Sequence, residues 1–244
     1  MTTLGSGRST NGQGSDAWWR SWTHVRVDRC SPSSCRVTFD HPPINAITAT
    51  TVAELAELVG LIEQDGDLNV VVFASANPDV YLAHYDAEDD GGAIAALELG
   101  AAARDAWLDL LHRLSRAPVV SIASIRGRVR GAGGEFALAC DLRFASRENA
   151  LLGRFEMGTG VVGGGGPLPR LARLVGHGRA LELLLVADDL DGPRAEQYGY
   201  VNRVIPDDRL DDEVEEMAAR LADLDHDAIA RTKSCVDRLT SPAA

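Results

Sequence analysis

The arrangement in this chain best suited to chemistry is a carboxylate at the mouth of a glycine turn. Gly131-Ala132-Gly133-Gly134 runs straight into Glu135-Phe136-Ala137-Leu138-Ala139, and the β-branched run from Val119 to Ile125 leads into the glycines. That order reads as a strand, a tight turn and the start of a buried helix. Glycines 131, 133 and 134 keep Cβ atoms out of the way of a ligand, and the first amides of a helix have no partner within it. At the positive end of the helix dipole, such amides suit a developing oxyanion. Glu135 in the same turn reads either as a proton-transfer group or as a carboxylate that simply complements the dipole.

Two other glycine-rich readings fail. A dinucleotide fingerprint needs Gly-x-Gly-x-x-Gly/Ala, but Gly131-Ala132-Gly133-Gly134-Glu135 is followed by Phe136, in mid-chain. The run Gly163 to Gly166 is followed by Pro167-Leu168 rather than Lys-Ser/Thr, so it is not a phosphate loop.

The 244 residues, 45% of them apolar, can bury one sizeable core with a small helical appendage. The absence of an apolar window of about 18 residues and of a signal peptide points to a soluble, cytoplasmic protein. Cys30, Cys35, Cys140 and Cys235 have neither CxxC spacing nor a zinc-like cluster. They read as reduced thiols, although Cys30 and Cys35 could face each other across a hairpin. A net charge of −12 argues against nucleic acid and anionic membranes as partners. No Lys or Arg lies between Arg36 and Arg104, a gap that holds Asp86-Ala87-Glu88-Asp89-Asp90, and Lys233 is the only lysine.

The elements that must position Glu135 follow in order. Residues 1–16 read as a disordered leader whose end Trp18, Trp19 and Trp22 dock onto the body. Val25–Asp28 and Arg36–Phe39 alternate as a hairpin, the Pro42-Pro43 stretch breaks it, and Thr48–Glu63 has helical spacing. Val70–Phe73 reads as a buried strand, Asn77–Gly92 as an acidic loop and Ile94–Leu114 as a long helix. After the central strand and glycine turn come a strand at Leu142–Ala145 and a loop at Leu151–Gly166. The tail carries helices at 168–174, 179–187, 194–198, 208–224 and 227–239, with a strand at Val201–Ile205. Strands alternating with helices, then helices alone, give an α/β core with a C-terminal helical subdomain.

From about Thr23 to Leu239 the chain resembles the enoyl-CoA hydratase/isomerase (crotonase) superfamily. Four motifs carry the match: Pro42-Pro43-Ile44-Asn45-Ala46; Tyr81-Leu82-Ala83-His84-Tyr85-Asp86; Arg126-Gly127 through Glu135 to Cys140-Asp141; and Glu156 through Gly166 with Arg170-Leu171. The resemblance implies a spiral of β-β-α units at 17–190 and a helical trimerisation region at 191–244, packed as a homotrimer or dimer of trimers. Apolar positions in the last helices, such as Leu210, Val214, Met217 and Leu221, are expected to pack between subunits. It places the oxyanion-hole amides on Tyr85 and Ala132 and the two catalytic carboxylates on Glu135 and Glu156. His84, Asp86, Gly131, Gly133, Phe155 and Lys233 become candidate substrate-binding positions.

Departures from the family pattern bear on the substrate. His84-Tyr85 stands where small residues are usual, and Glu88 stands where many hydratases carry a lysine for the coenzyme A phosphates. Arg154-Phe155 replaces Gln-Pro, Pro167-Leu168 replaces Thr-Gln, and Lys233 matches a basic position of the last helix. The implied activity is 2-enoyl-CoA hydration on an acyl thioester, with no cofactor except coenzyme A as part of the substrate. The alternatives are an isomerase or C–C bond hydrolase or lyase of the same fold, acting on a β-dicarbonyl or natural product without coenzyme A, and a non-catalytic acyl-binding subunit.

Overall fold

The computed structural model describes residues 22–86, 95–153, 167–186 and 189–240, apart from the side chains of 95–104 and 167–168. Strands β1 (Val25–Ser31) and β2 (Ser34–Phe39) form an antiparallel hairpin that runs straight through the expected turn, leaving only Pro32-Ser33 to reverse the chain. Cys30 is exposed and Cys35 is buried, so they lie on opposite faces and both are free thiols. Helix α1 (Ala49–Gln64) starts at a capping box: the Thr48 side chain accepts from Thr51 N–H at 3.3 Å, and Thr51 Oγ1 accepts from Thr48 N–H at 3.2 Å. Its buried face is Val52, Leu55, Leu58, Val59 and Ile62.

Three β-β-α turns follow. The first is β3 (Val70–Ser75), β4 (Val80–Leu82) and α2 (Ala95–Arg116); the second is β5 (Val120–Ile125), β6 (Arg128–Arg130) and α3 (Ala132–Ala139). The third is β7 (Leu142–Ser146), β8 (Leu151–Gly153), α4 (Pro167–Val175) and α5 (His177–Leu185), after which come β9 (Leu190–Asp191), α6 (Gly192–Tyr198) and β10 (Arg203–Ile205). A 3₁₀ turn at Asp207–Arg209 leads to α7 (Leu210–Ala222) and α8 (His226–Thr240). The first strand of each turn enters a six-stranded sheet, β1-β2-β3-β5-β7-β10, parallel from β2 onward; the second enters a four-stranded sheet, β4-β6-β8-β9. This is the expected α/β spiral. The residue pattern did not locate the strands of the second sheet, because strands of two or three residues are too short to show a period.

The chain does not divide cleanly at residue 190. β10 pairs with β7 in the main sheet, and α7 lays Leu210, Val214 and Ala218 on Val70, Val72, Ile122, Phe144 and Ile205. Met217 and Leu221 pack against the same cluster. The apolar face expected to join subunits therefore covers the chain's own sheet. The exposed apolar side chains lie elsewhere, at Leu174, Leu181, Leu185, Val186, Leu224, Val236 and Leu239. The leader, with Trp18 and Trp19, falls outside the described residues; Trp22 is half-buried against the core.

The 3₁₀ turn and α7 are pinned by charge. Arg126 donates to Asp207 Oδ1 and Asp211 Oδ2, both at 3.0 Å, and Arg36 donates to Asp211 and to Glu215. A hydrogen bond from Ser146 and the Arg126 guanidinium lower the Asp207 pKa against its burial. Burial alone would raise that of Asp211, but Arg126 and Arg36 outweigh it and lower it. Carboxyls depressed on folding contribute stability that is complete above their unfolded pKa of about 3.9 and is lost as pH falls through the folded values. Denaturant titrations should therefore lose stability below about pH 4, and Arg126→Gln should flatten that loss; an unchanged acid slope in the variant would show that the charges do not anchor α7.

Candidate active site

Asn45 sets the position of the segment that carries Tyr85. It adopts φ 52°, tolerable for asparagine, and is buried. Its Oδ1 accepts from His41 N–H at 2.8 Å, while Nδ2 donates to Ser75 Oγ at 2.8 Å and Tyr81 O at 3.2 Å. The Asn45 carbonyl accepts from Ala83 N–H at 3.1 Å. Ile47 N–H donates to His84 O at 3.0 Å, and Asp86 N–H donates to Ile47 O at 2.8 Å, a parallel bridge centred on Tyr85. Since His84 and Asp86 turn their polar atoms toward Ile47, the alternation of extended backbone directs the Tyr85 amide to the other side.

The start of α3 is pressed against this segment. Gly131 sits at φ 51°, a left-handed conformation that lets the chain turn into the helix. Gly133 N–H donates to Ala83 O at 2.9 Å, and a Cβ on Gly133 would lie 2.1 Å from Leu82 O and 2.6 Å from Leu82 C. Only glycine allows this approach. Ala132 N–H, the first amide of the helix, has no acceptor among the described residues. It is therefore able to donate to an oxygen placed over the helix start, where the dipole favours negative charge.

Glu135 stands half-buried in the first turn of α3. Its Oε2 accepts a 2.8 Å hydrogen bond from Trp107 Nε1 on α2. The next residue, Phe136, is fully buried among Phe39, Phe73 and Trp107, with ring centroids at 5.4, 4.9 and 6.3 Å. The guanidinium of Arg170 on α4 and the buried phenol of Tyr200 lie close enough to feel the Glu135 charge. Trp107 was not singled out from the sequence, where it is one more apolar position on an amphipathic helix.

The other expected site residues divide. Tyr85 is half-buried against the core, Asp86 is half-buried, and His84 is exposed. Glu156 and Phe155 lie outside the described residues, as does the acidic run beyond Asp86. Lys233 is not a free cation: Nζ donates to Asp141 Oδ2 at 2.8 Å and to the Val119 carbonyl at 2.9 Å. Asp141 also accepts from Ser121 N–H and Oγ, each at 2.8 Å, so the pair ties α8 to β5 and β7. A cavity of about 1050 Å³ lies beside this pair, lined by Leu138, Asp141, Arg170, Leu174, Ile229 and Lys233 among others. Its α3 residues are those at the C-terminal end, away from the amides of Ala132 and Gly133.

The arrangement offers a carboxylate held by an indole and a free backbone donor at a helix start, with a second amide on an adjoining strand. Those are parts for moving a proton beside a carbonyl whose oxygen becomes negative. The enoyl-CoA hydratase/isomerase family model matches residues 30–244. The short-chain-enoyl-CoA hydratase of Clostridium acetobutylicum is 30% identical over 207 residues, 83% of this chain and 77% of that protein. The crotonyl-CoA hydratase of Syntrophomonas wolfei is 30% identical over 196 residues, 80% and 74% of the two chains. A structure from Streptomyces avermitilis described as an enoyl-CoA hydratase is 39% identical, with a TM-score of 0.83 over 92% of this chain and 81% of that one.

Gly133→Ala should separate the two amide-bearing segments while leaving every charged side chain in place. Its Cβ would meet backbone atoms, which cannot swing aside. Overpacking of this kind costs about 1–3 kcal/mol, and a misplacement of 1 Å can cost about 10²-fold in rate. A folded Gly133→Ala protein with full activity would show that the close approach is irrelevant to the chemistry.

Proposed function

The chain belongs to the enoyl-CoA hydratase/isomerase family, and we propose that it adds water syn across the double bond of a 2-enoyl thioester through Glu135, Glu156 and the amides of Tyr85 and Ala132. The thioester carbonyl accepts from the two amides. Glu135 takes one proton of a water as the water oxygen bonds the β-carbon. The π electrons move onto the carbonyl oxygen, and Glu156 delivers a proton to the α-carbon. The proton gained by Glu135 and the one lost by Glu156 exchange with solvent before the next turnover. No cofactor enters, and coenzyme A is the carrier within the substrate.

The observation that carries this reading is the pairing of the Ala132 amide with a carboxylate one helical turn away, in a family whose named relatives are hydratases. Removing the carboxylate alone tests it. Glu135→Gln should lower kcat by about 10² to 10⁴ with KM little changed. In ¹⁸O-labelled heavy water the wild-type product should carry both oxygen label and deuterium. Deuterium without oxygen would make the reaction an isomerisation, and no label from any enoyl thioester would remove this substrate class.

The same reading extends to assembly as a homotrimer or a dimer of trimers. It is supported by the exposed Leu181, Leu185 and Val186 on and after α5 and by Leu239 at the end of α8, which is 86% exposed. Sedimentation at micromolar concentration should give three or six chains; a monomer mass refutes it.

A further inference from the structure

Trp107 is 95% buried in a chain position that sequence periodicity marks only as core, yet its one polar atom reaches a carboxylate 28 residues away. Both ends of the indole are occupied by the same turn of α3. The ring stacks on Phe136 at 6.3 Å and 29°, and Nε1–H donates to Oε2 of the adjacent Glu135 at 2.8 Å. Packing fixes the ring, and the ring fixes the carboxylate. A residue serving only to fill space between α2 and α3 would need no donor there, and a leucine or phenylalanine would do as well.

We propose that Trp107 is a positioning residue for Glu135, holding its carboxylate in one orientation and in the ionised form that accepts a proton from water. The proposal rests on the hydratase reading for the word "accepts"; the hydrogen bond and its effect on titration do not depend on it. An N–H donor stabilises a carboxylate more than a neutral carboxyl, since the charged acceptor makes the stronger bond. Among the described residues, Arg170 on α4 and Tyr200 after α6 also lie close enough to interact with the Glu135 charge. Arg170 also donates to Leu111 O and Ser115 Oγ on α2, so its charge is shared with that helix. Trp107 makes a direct hydrogen bond to the carboxylate, which sets direction as well as charge.

Trp107→Phe keeps an aromatic ring against Phe136 and deletes only the donor. Its expected effects are a fall in kcat of about tenfold, KM within about twofold, and a shift of the acidic limb of the kcat profile upward by roughly half to one pH unit. The decisive readout is the cycle with Glu135→Gln: if Trp107 acts through the carboxylate, Trp107→Phe should change kcat little in the Glu135→Gln background. An equal fall in both backgrounds, with an unmoved acidic limb, would make Trp107 a packing residue and overturn the proposal. A second measurement needs neither activity nor the Trp107→Phe protein. Among the four indole N–H resonances of ¹⁵N-labelled protein, that of Trp107 should move with an acidic midpoint in the wild type and lose the transition in Glu135→Gln. An indole resonance set that titrates identically in both proteins also overturns it. If Glu135→Gln is fully active while the Trp107 resonance titrates as expected, the positioning stands and the hydratase reading alone fails.

Discussion

The contact between Gly133 and the backbone of Leu82 and Ala83 governs the rest of the site. It joins two segments that come from successive turns of the spiral, one leaving β4 and one leaving β6, at a distance that a single methyl would destroy. Because β4 and β6 are themselves paired in the small sheet, the approach is fixed from behind by a ladder and from the front by Gly133 N–H on Ala83 O. Backbone donors held this way do not reorganise when charge develops in front of them, which is where their electrostatic value lies. Glycine in the first turn of a helix costs about 1 kcal/mol against alanine. The burial of Phe136 in an aromatic cluster two residues from the second of those glycines, worth about 1.5–3 kcal/mol before its ring contacts are counted, offsets that cost.

Backbone and side chain thus have separate supports. The amide donors depend on the sheet, on Asn45 and on the Ile47 bridge, whose hydrogen bonds run along the β4 side of the site. The carboxylate is held from α2 through Trp107, and Arg170 on α4 lies close enough to interact with its charge; neither makes a hydrogen bond to the Tyr85 segment among the described residues. Several residues that make the family motifs recognisable turn out to hold elements rather than substrate. Asn45 fixes the Tyr81–Ala83 backbone, Arg126 fixes the 3₁₀ turn, and Asp141 joins Ser121 to Lys233. Motif membership and contact with the reacting atoms are different properties, and only the geometry separates them.

Long elements were legible because their periods repeat. Val52, Leu55, Leu58 and Ile62 announce α1, and the Val70–Phe73 run announces a strand covered on both faces. The strands β4, β6, β8 and β9 were not legible, since two or three residues hold at most one cycle of alternation; yet β4 and β6 carry the approach that builds the site. Glu135 and the glycines could be found by chemistry, because free amides beside a carboxylate are unusual. Trp107 could not, because the partner of an indole N–H is decided by how two helices cross. Lys233 is a different case: its position in the last helix suggested a phosphate contact, while nothing in the sequence signalled that its ammonium pairs with Asp141 in space.

Charge shapes what the site can ask of its substrate. Cations with described partners are largely engaged within the chain: Arg29 with Asp65, Arg36 with Asp211 and Glu215, Arg113 with Glu63, Arg126 with Asp207 and Asp211, Arg130 with Asp189, and Lys233 with Asp141. With a net charge of −12 and an acidic run after Asp86, the long-range field repels a polyanionic carrier rather than drawing it in. That repulsion is screened over about 8–10 Å at ordinary salt, whereas the contacts at the helix start are local and partly desolvated. In the reaction proposed above, recognition would concentrate on the acyl end: the carbonyl against the amides of Ala132 and Tyr85, and the reacting carbons beside Glu135. Interactions placed there strengthen as negative charge moves onto the oxygen, so they contribute to the rate as well as to binding. On that proposal the enzyme would be selective for the chemistry of the thioester before it is selective for what carries it.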